Sequence, residues 1–246
     1  MWNSTINDYS YFEYGEYVSV SEKKAMADAS IEKLKKKHPD IQPVIIEGRA
    51  LAKSWWGKAW NQNLESYADY TNRIKRGRNY VRNHAVVDLK IAQGKVTGMV
   101  QGSRKKPYKI QIDIDPLSDE RWTCIGKLCN NRIESVEKLI QGKFPEELNE
   151  TFTDRQYGLF PSPKEIHFKC SCPDWAYMCK HIAAVLYGIG SRLDNDPLLF
   201  FLLRGVDVKL LIKKTMDEKV NTMLKNTNKK SSREINSDKI QDIFGL

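Results

Sequence analysis

Three stretches decide the fold: His84-Ala-Val-Val-Asp-Leu-Lys-Ile91, Val96-Thr-Gly-Met-Val-Gln101 and Tyr108-Lys-Ile-Gln-Ile-Asp-Ile-Asp115. In the first, Ala85, Val87, Leu89 and Ile91 alternate with His84, Val86, Asp88 and Lys90. In the third, Tyr108, Ile110, Ile112 and Ile114 alternate with Lys109, Gln111, Asp113 and Asp115. A period of two sends alternate side chains to opposite faces, so both stretches read as half-buried strands. Gln93-Gly94-Lys95 supplies the turn after the first strand. The predicted unit is a three-stranded antiparallel meander with one apolar face.

Helical signals surround it. Ser21 with Glu22 opens a helix to about Lys37, closed by His38-Pro39. Trp56, Trp60, Leu64 and Tyr67 follow at helical spacing behind Ser54, a candidate N-cap. After the meander, helices are predicted from Asp119 to about Asn130, from Ile133 to Gln141 with Gly142 as the stop, and after Pro145. Asp196-Pro197 reads as N-cap and first turn for Leu198 to Arg204, Gly205 as its stop, and Asp207 as the cap of a last helix to about Leu224. The fold class is α+β. Four regions follow: an aromatic arm over 1–20, an α+β body over 21–160, a finger with C-terminal helices over 161–225, and a polar tail over 226–246. The arm carries Trp2, Tyr9, Tyr11, Phe12, Tyr14 and Tyr17 without one lysine or arginine, and is expected to pack its rings on the body. The tail ends in an apolar tip, Ile240, Ile243, Phe244 and Leu246. So short a helix does not hold itself in water, so the tip is expected to dock on its own domain or on a partner, with simple fraying as the remaining alternative.

The formal net charge is +9, and its placement matters more than its size. Arg73, Lys75, Arg76, Arg78 and Arg82, with Tyr80 among them, precede the first strand; Arg104, Lys105 and Lys106 connect the second to the third. In a meander those two places share one end of the sheet, so two basic segments distant in sequence converge. Gly77 and Gly102 allow the backbone a close approach there. Phosphate contact is the functional reading and a solvated rim the competing one. No basic recognition helix is evident, so binding should be backbone-led and weakly sequence-specific.

Cys170-Ser-Cys172 and Cys179-Lys-His181 place three of five cysteines and one of four histidines within twelve positions. Three thiolates and an imidazole form a closed Cys3His set, the donors of one structural tetrahedral zinc. Cys170 and Cys172 end an alternating apolar stretch through Ile166 and Phe168. Cys179 and His181 open an apolar helix over Ile182 to Leu193. Ligands two apart on a regular helix would diverge, so Cys179 should sit just before the first turn. Trp175 is expected to pack on that helix, with a binding aromatic as the alternative. Cys124 and Cys129 read as small core residues beside Trp122, Ile125 and Leu128. So few cysteines outside the zinc pattern point to a reducing cytoplasm. No secretory signal is expected after Met1, and the longest apolar stretch is too short to span a bilayer.

Around these ligands the chain resembles the SWIM zinc fingers, Cys-x-Cys followed by Cys-x-His. The likeness includes Cys170-Ser-Cys-Pro-Asp-Trp175 and Cys179-Lys-His-Ile-Ala-Ala-Val185. It extends upstream through Trp55-Trp-Gly-Lys-Ala-Trp60, Arg76-Gly-Arg-Asn-Tyr80, Gln101-Gly-Ser103 and Gly158-Leu-Phe-Pro161. Together these resemble bacterial SWIM-domain proteins often encoded beside Swi/Snf-type helicase-like ATPases, and the resemblance implies such a partner. Asp88, Asp113 and Asp115 share the polar face of the sheet, but strands one and three lie about 10 Å apart, too far for one shared magnesium. No phosphate-binding glycine loop, nucleophile elbow or Cys/His catalytic pattern is present. The expectation is a non-enzymatic zinc protein that binds nucleic acid, DNA before RNA; the alternative is a protein-interaction adaptor.

Overall fold

The computed structural model describes residues 18–66, 71–130, 138 and 146–207, with helical positions between 209 and 224. The aromatic arm before Val18, the predicted helix over 133–141 apart from the helical position 138, and the apolar tip lie outside the described residues, as do Tyr67 and the Cys129 side chain.

Helix α1 (Val20–Lys37) starts at Ser19, not Ser21. The Ser19 hydroxyl accepts from the Glu22 N–H at 3.2 Å, and the Glu22 carboxylate accepts from the Ser19 N–H at 2.7 Å. That reciprocal box needs a spacing of three, which Ser21 cannot offer to Glu22. Helix α2 (Trp55–Glu65) begins behind Ser54, whose side chain accepts from Gly57 N–H. Helix α3 (Thr71–Arg82) has no counterpart among the predicted elements and leads directly to the sheet. The sheet comprises β1 (Val86–Ala92), β2 (Lys95–Val100), β3 (Tyr108–Ile114) and β4 (Ile166–Cys170), all neighbours antiparallel. The meander therefore gains a fourth strand. Ile166 pairs with Ile114, and Phe168 with Ile112, which closes the edge of β3 with matching apolar residues. Downstream come α4 (Asp119–Asn130), α5 (Asn149–Thr153), α6 (Lys180–Asn195) and α7 (Leu199–Leu203). Gly205 stops α7 at φ +65°, and Gly94 makes the β1–β2 turn at φ +62°.

Helix α6 is the spine. Every residue from His181 to Gly190 is buried, because α2 and α3 cover one side and the sheet covers the other. Two indoles of α2 tie to it: Trp60 donates to Leu186 O at 2.8 Å and Trp56 to Leu193 O at 2.7 Å. Asp194, near its C-terminal end, accepts from the Lys53 N–H at 2.6 Å and from both N–H and O–H of Ser54. Against the sheet, glycines let the backbones close: a Cβ on Gly98 would stand 3.0 Å from Val185, and one on Gly188 2.8 Å from Leu89.

The simple alternation along β1 breaks at a bulge between Val86 and Asp88. Val86 and Leu89 both enter the main core, while Val87 joins Ile31 and Ile41 in a second cluster under α1. Both faces at that edge are covered, not one.

Candidate zinc centre and the basic surface around it

Cys170 is the last residue of β4. Beyond it Ser171 N–H donates to Lys109 O at 3.0 Å, and the Ser171 hydroxyl accepts from Lys109 N–H at 2.9 Å. These bonds fix the Cys-x-Cys turn to β3. Cys179 is the N-cap of α6, with extended φ −80° and ψ 169°. Its thiol can thus aim at the same point as His181, one step inside the helix. The Cys170 and Cys179 sulfurs lie 4.0 and 3.8 Å from His181 Nδ1, and all four ligand atoms fall within 4.8 Å of one another. Metal–ligand bonds of roughly 2.0–2.3 Å in a tetrahedron place ligand atoms about 3.5–3.8 Å apart, so the cage has the right size.

The electrostatics fit as well. A hydrogen bond from Cys170, opposed by burial and helped by His181, pulls the Cys179 thiol down to about 4. Cys170 is pushed up because it keeps the proton it gives to Cys179 and because it is partly desolvated. Burial raises Cys172. One thiolate among held protons is a donor set that a dication would deprotonate completely. These four residues are positioned to hold one zinc ion, and with four protein donors the site is closed.

Around His181 the two basic segments meet. Its ring stacks on Tyr108 at 4.3 Å and meets Tyr80 edge-on at 5.3 Å. His181 Nε2 is buried without a hydrogen-bond partner among the described residues, and Gly102 is what leaves it room. A Cβ there would stand 3.3 Å from Nε2 and 2.5 Å from the Tyr108 ring. Arg104 lies over Tyr108 and Lys180 over Tyr80, each at 5.6 Å. Tyr80, Asn83, Gln101, Gly102 and Ser103 line one cleft.

The individual cations divide into two groups. Arg73 is held by Asp174 at 3.2 Å, and Arg78 by Glu65 at 2.5 Å and the Tyr187 hydroxyl at 2.8 Å. Arg82 is exposed and reaches Arg49 O at 3.2 Å. Lys75, Arg76, Lys105 and Lys106 are exposed. Because 71–82 is helical, Asn72, Lys75, Arg76, Asn79 and Arg82 form one solvent-facing stripe, opposite Ile74, Gly77 and Val81, which are buried. A basic helix therefore exists where none was read. The asparagines and Lys180 were missed with it. Only the spacing of polar residues could have disclosed the stripe.

Trp175 also departs from expectation: it is 93% exposed instead of packing on α6. Cys124 is half-buried. The three sheet carboxylates have separate partners. Asp88 is buried and accepts from Gln42 N–H at 2.8 Å, Asp113 accepts from Gln111, and Asp115 pairs with His167 at 3.0 Å.

Residues 167–188 match the SWIM zinc finger family. The chain is 36% identical over 176 residues to the uncharacterized protein Rv2102 of Mycobacterium tuberculosis, covering 68% of this chain and 63% of that protein. This chain thus spans less than two thirds of that relative. No solved structure gives a significant match. Among the described residues no helix is long and apolar enough to cross a membrane.

Proposed function

We propose that this SWIM zinc-finger chain is a non-enzymatic accessory protein that binds nucleic acid, DNA in preference to RNA, through phosphate contacts. One observation carries the reading: Arg104 and the 101–106 loop on one side, and α3 with Lys180 on the other, pack around the zinc ligand His181. The zinc then acts as a clasp that holds two cationic segments in a fixed relation. The phosphate-contacting set is Lys75, Arg76, Arg82, Arg104, Lys105 and Lys106; Arg73 and Arg78 contribute mainly by holding α3 in place. The resemblance supports a Swi/Snf-type helicase-like ATPase as partner, and the commitment of three of the five cysteines to a zinc pattern supports a reducing, cytoplasmic location.

Charge reversal tests it. Arg76→Glu with Lys105→Glu should weaken binding to a DNA oligonucleotide. It should also flatten the plot of log K against log salt by roughly two phosphate contacts, at about 0.9 per contact on duplex. An unchanged slope in a folded, zinc-loaded variant returns the cluster to a solvated rim. The second reading, an adaptor, draws on Leu210, Met216, Val220, Met223 and Leu224, which leave apolar surface exposed at helical positions. Wild-type protein that ignores DNA and RNA yet retains a protein partner would favour it.

A further inference from the structure

We propose that Trp175 is a stacking platform for an unpaired base, so the ligand of this surface is single-stranded nucleic acid. This rests on the nucleic-acid reading above and makes it specific. The indole is 93% exposed, although burying so large an apolar ring is ordinarily favourable. The exposure is built into the loop, because both flanks are pinned. On one side Asp174 accepts from Ala176 N–H at 3.2 Å and is held by Arg73 at 3.2 Å. On the other the Tyr177 hydroxyl donates to Ile166 O at 2.7 Å, and its ring packs on Phe168 at 5.1 Å. Cys172 and Cys179 anchor the two ends in the metal cage. The indole is thus presented on a stiff loop, and little conformational entropy is lost when a ligand meets it.

The charge around it selects the ligand. Asp174, the acidic neighbour, is already paired with Arg73. Arg76 follows within one turn of Arg73 on α3 and is exposed, and Lys180 opens the helix at the far end of the loop. An aromatic face among cations suits a strand whose phosphates meet the lysines and arginines while a base covers the ring. Duplex bases are already stacked on one another and offer no free face. The same surface should therefore hold a duplex through phosphates alone.

Full-length, zinc-loaded wild type, Trp175→Ala and Trp175→Phe are compared by fluorescence anisotropy on a labelled 20-nucleotide oligo-dT and on a duplex of equal length. Trp175→Ala should bind the single strand roughly 5- to 150-fold more weakly, the equivalent of one lost base stack. Its duplex affinity and salt slope should be unchanged, and Trp175→Phe should recover part of the loss. Zinc content and melting temperature should match wild type, since the ring supports nothing. Equal single-strand binding by Trp175→Ala, or an equal loss on both ligands, overturns the stacking role and leaves phosphate binding intact. Wild type that binds neither ligand overturns both proposals. Intact nucleic-acid binding with loss of a protein partner reassigns Trp175 to a protein contact.

Discussion

Glu165 shows how one side chain acquires its chemistry from where the chain folds. Its carboxylate receives Arg204 at 2.6 Å and Arg121 at 3.0 Å, and closes the turn at Ser162 by accepting its N–H at 2.8 Å. Burial favours the neutral acid, but the bonds from Arg204 and Ser162 overcome it and hold the carboxyl at about 2, against 4.5 ordinarily. The Arg204 side chain has no exposed surface, so removing Glu165 would strand a buried charge. The sign follows from a folded pKa below the unfolded one: the stabilisation is complete above about 4.5 and is lost as pH falls towards 2. Urea unfolding should show wild type losing about 1–2 kcal/mol more than Glu165→Gln between pH 5 and pH 3, after allowance for solvent screening. A gap between the two proteins that stays constant over that range would contradict the ion pair.

At the scale of elements, the contact between α3 and α6 is set by a missing side chain. A Cβ on Gly77 would stand 2.5 Å from Ala183 Cβ and 2.9 Å from its backbone carbon. Alanine in a helix interior normally gains about 1 kcal/mol over glycine. Here overpacking should reverse that sign, so Gly77→Ala should destabilise by about 1–3 kcal/mol in a denaturant melt. A more stable Gly77→Ala protein would mean that α3 has room to move. The same contact holds Tyr80 against His181, so zinc affinity should fall with stability. The β1 bulge acts similarly at the sheet: it sends the nominally polar position, Val86, into the main core and makes Val87 the seat of α1.

For the whole molecule, the finger is continuous with the core. Cys179 and His181 are buried at the head of the helix that α2, α3 and the sheet pack against. Structural zinc supplies on the order of 10 kcal/mol to fingers that lack other support, comparable with a domain's total stability. Cys179→Ser should therefore lose the single zinc equivalent, measured by elemental analysis. It should also lose helical signal in circular dichroism and any nucleic-acid binding together. Full zinc in that variant would remove Cys179 from the ligand set, and lost zinc with unchanged circular dichroism would show that α6 stands without the metal.

The sequence by itself determined the zinc donors, the three strands of the meander, most helix limits and the extended backbone at Cys179. Each depends on spacing within a few residues, which local geometry enforces. Helix α3 escaped because its buried face is only Ile74, Gly77 and Val81, and a glycine that makes the closest contact carries no apolar signal. Ser19 could have been found from its distance to Glu22. The pairing of Arg73 with Asp174 and of Arg78 with Glu65 could not, nor could the exposure of Trp175. Those depend on segments up to about a hundred residues apart being brought together by α6, and only the tertiary structure decides which cations are neutralised and which rings face water.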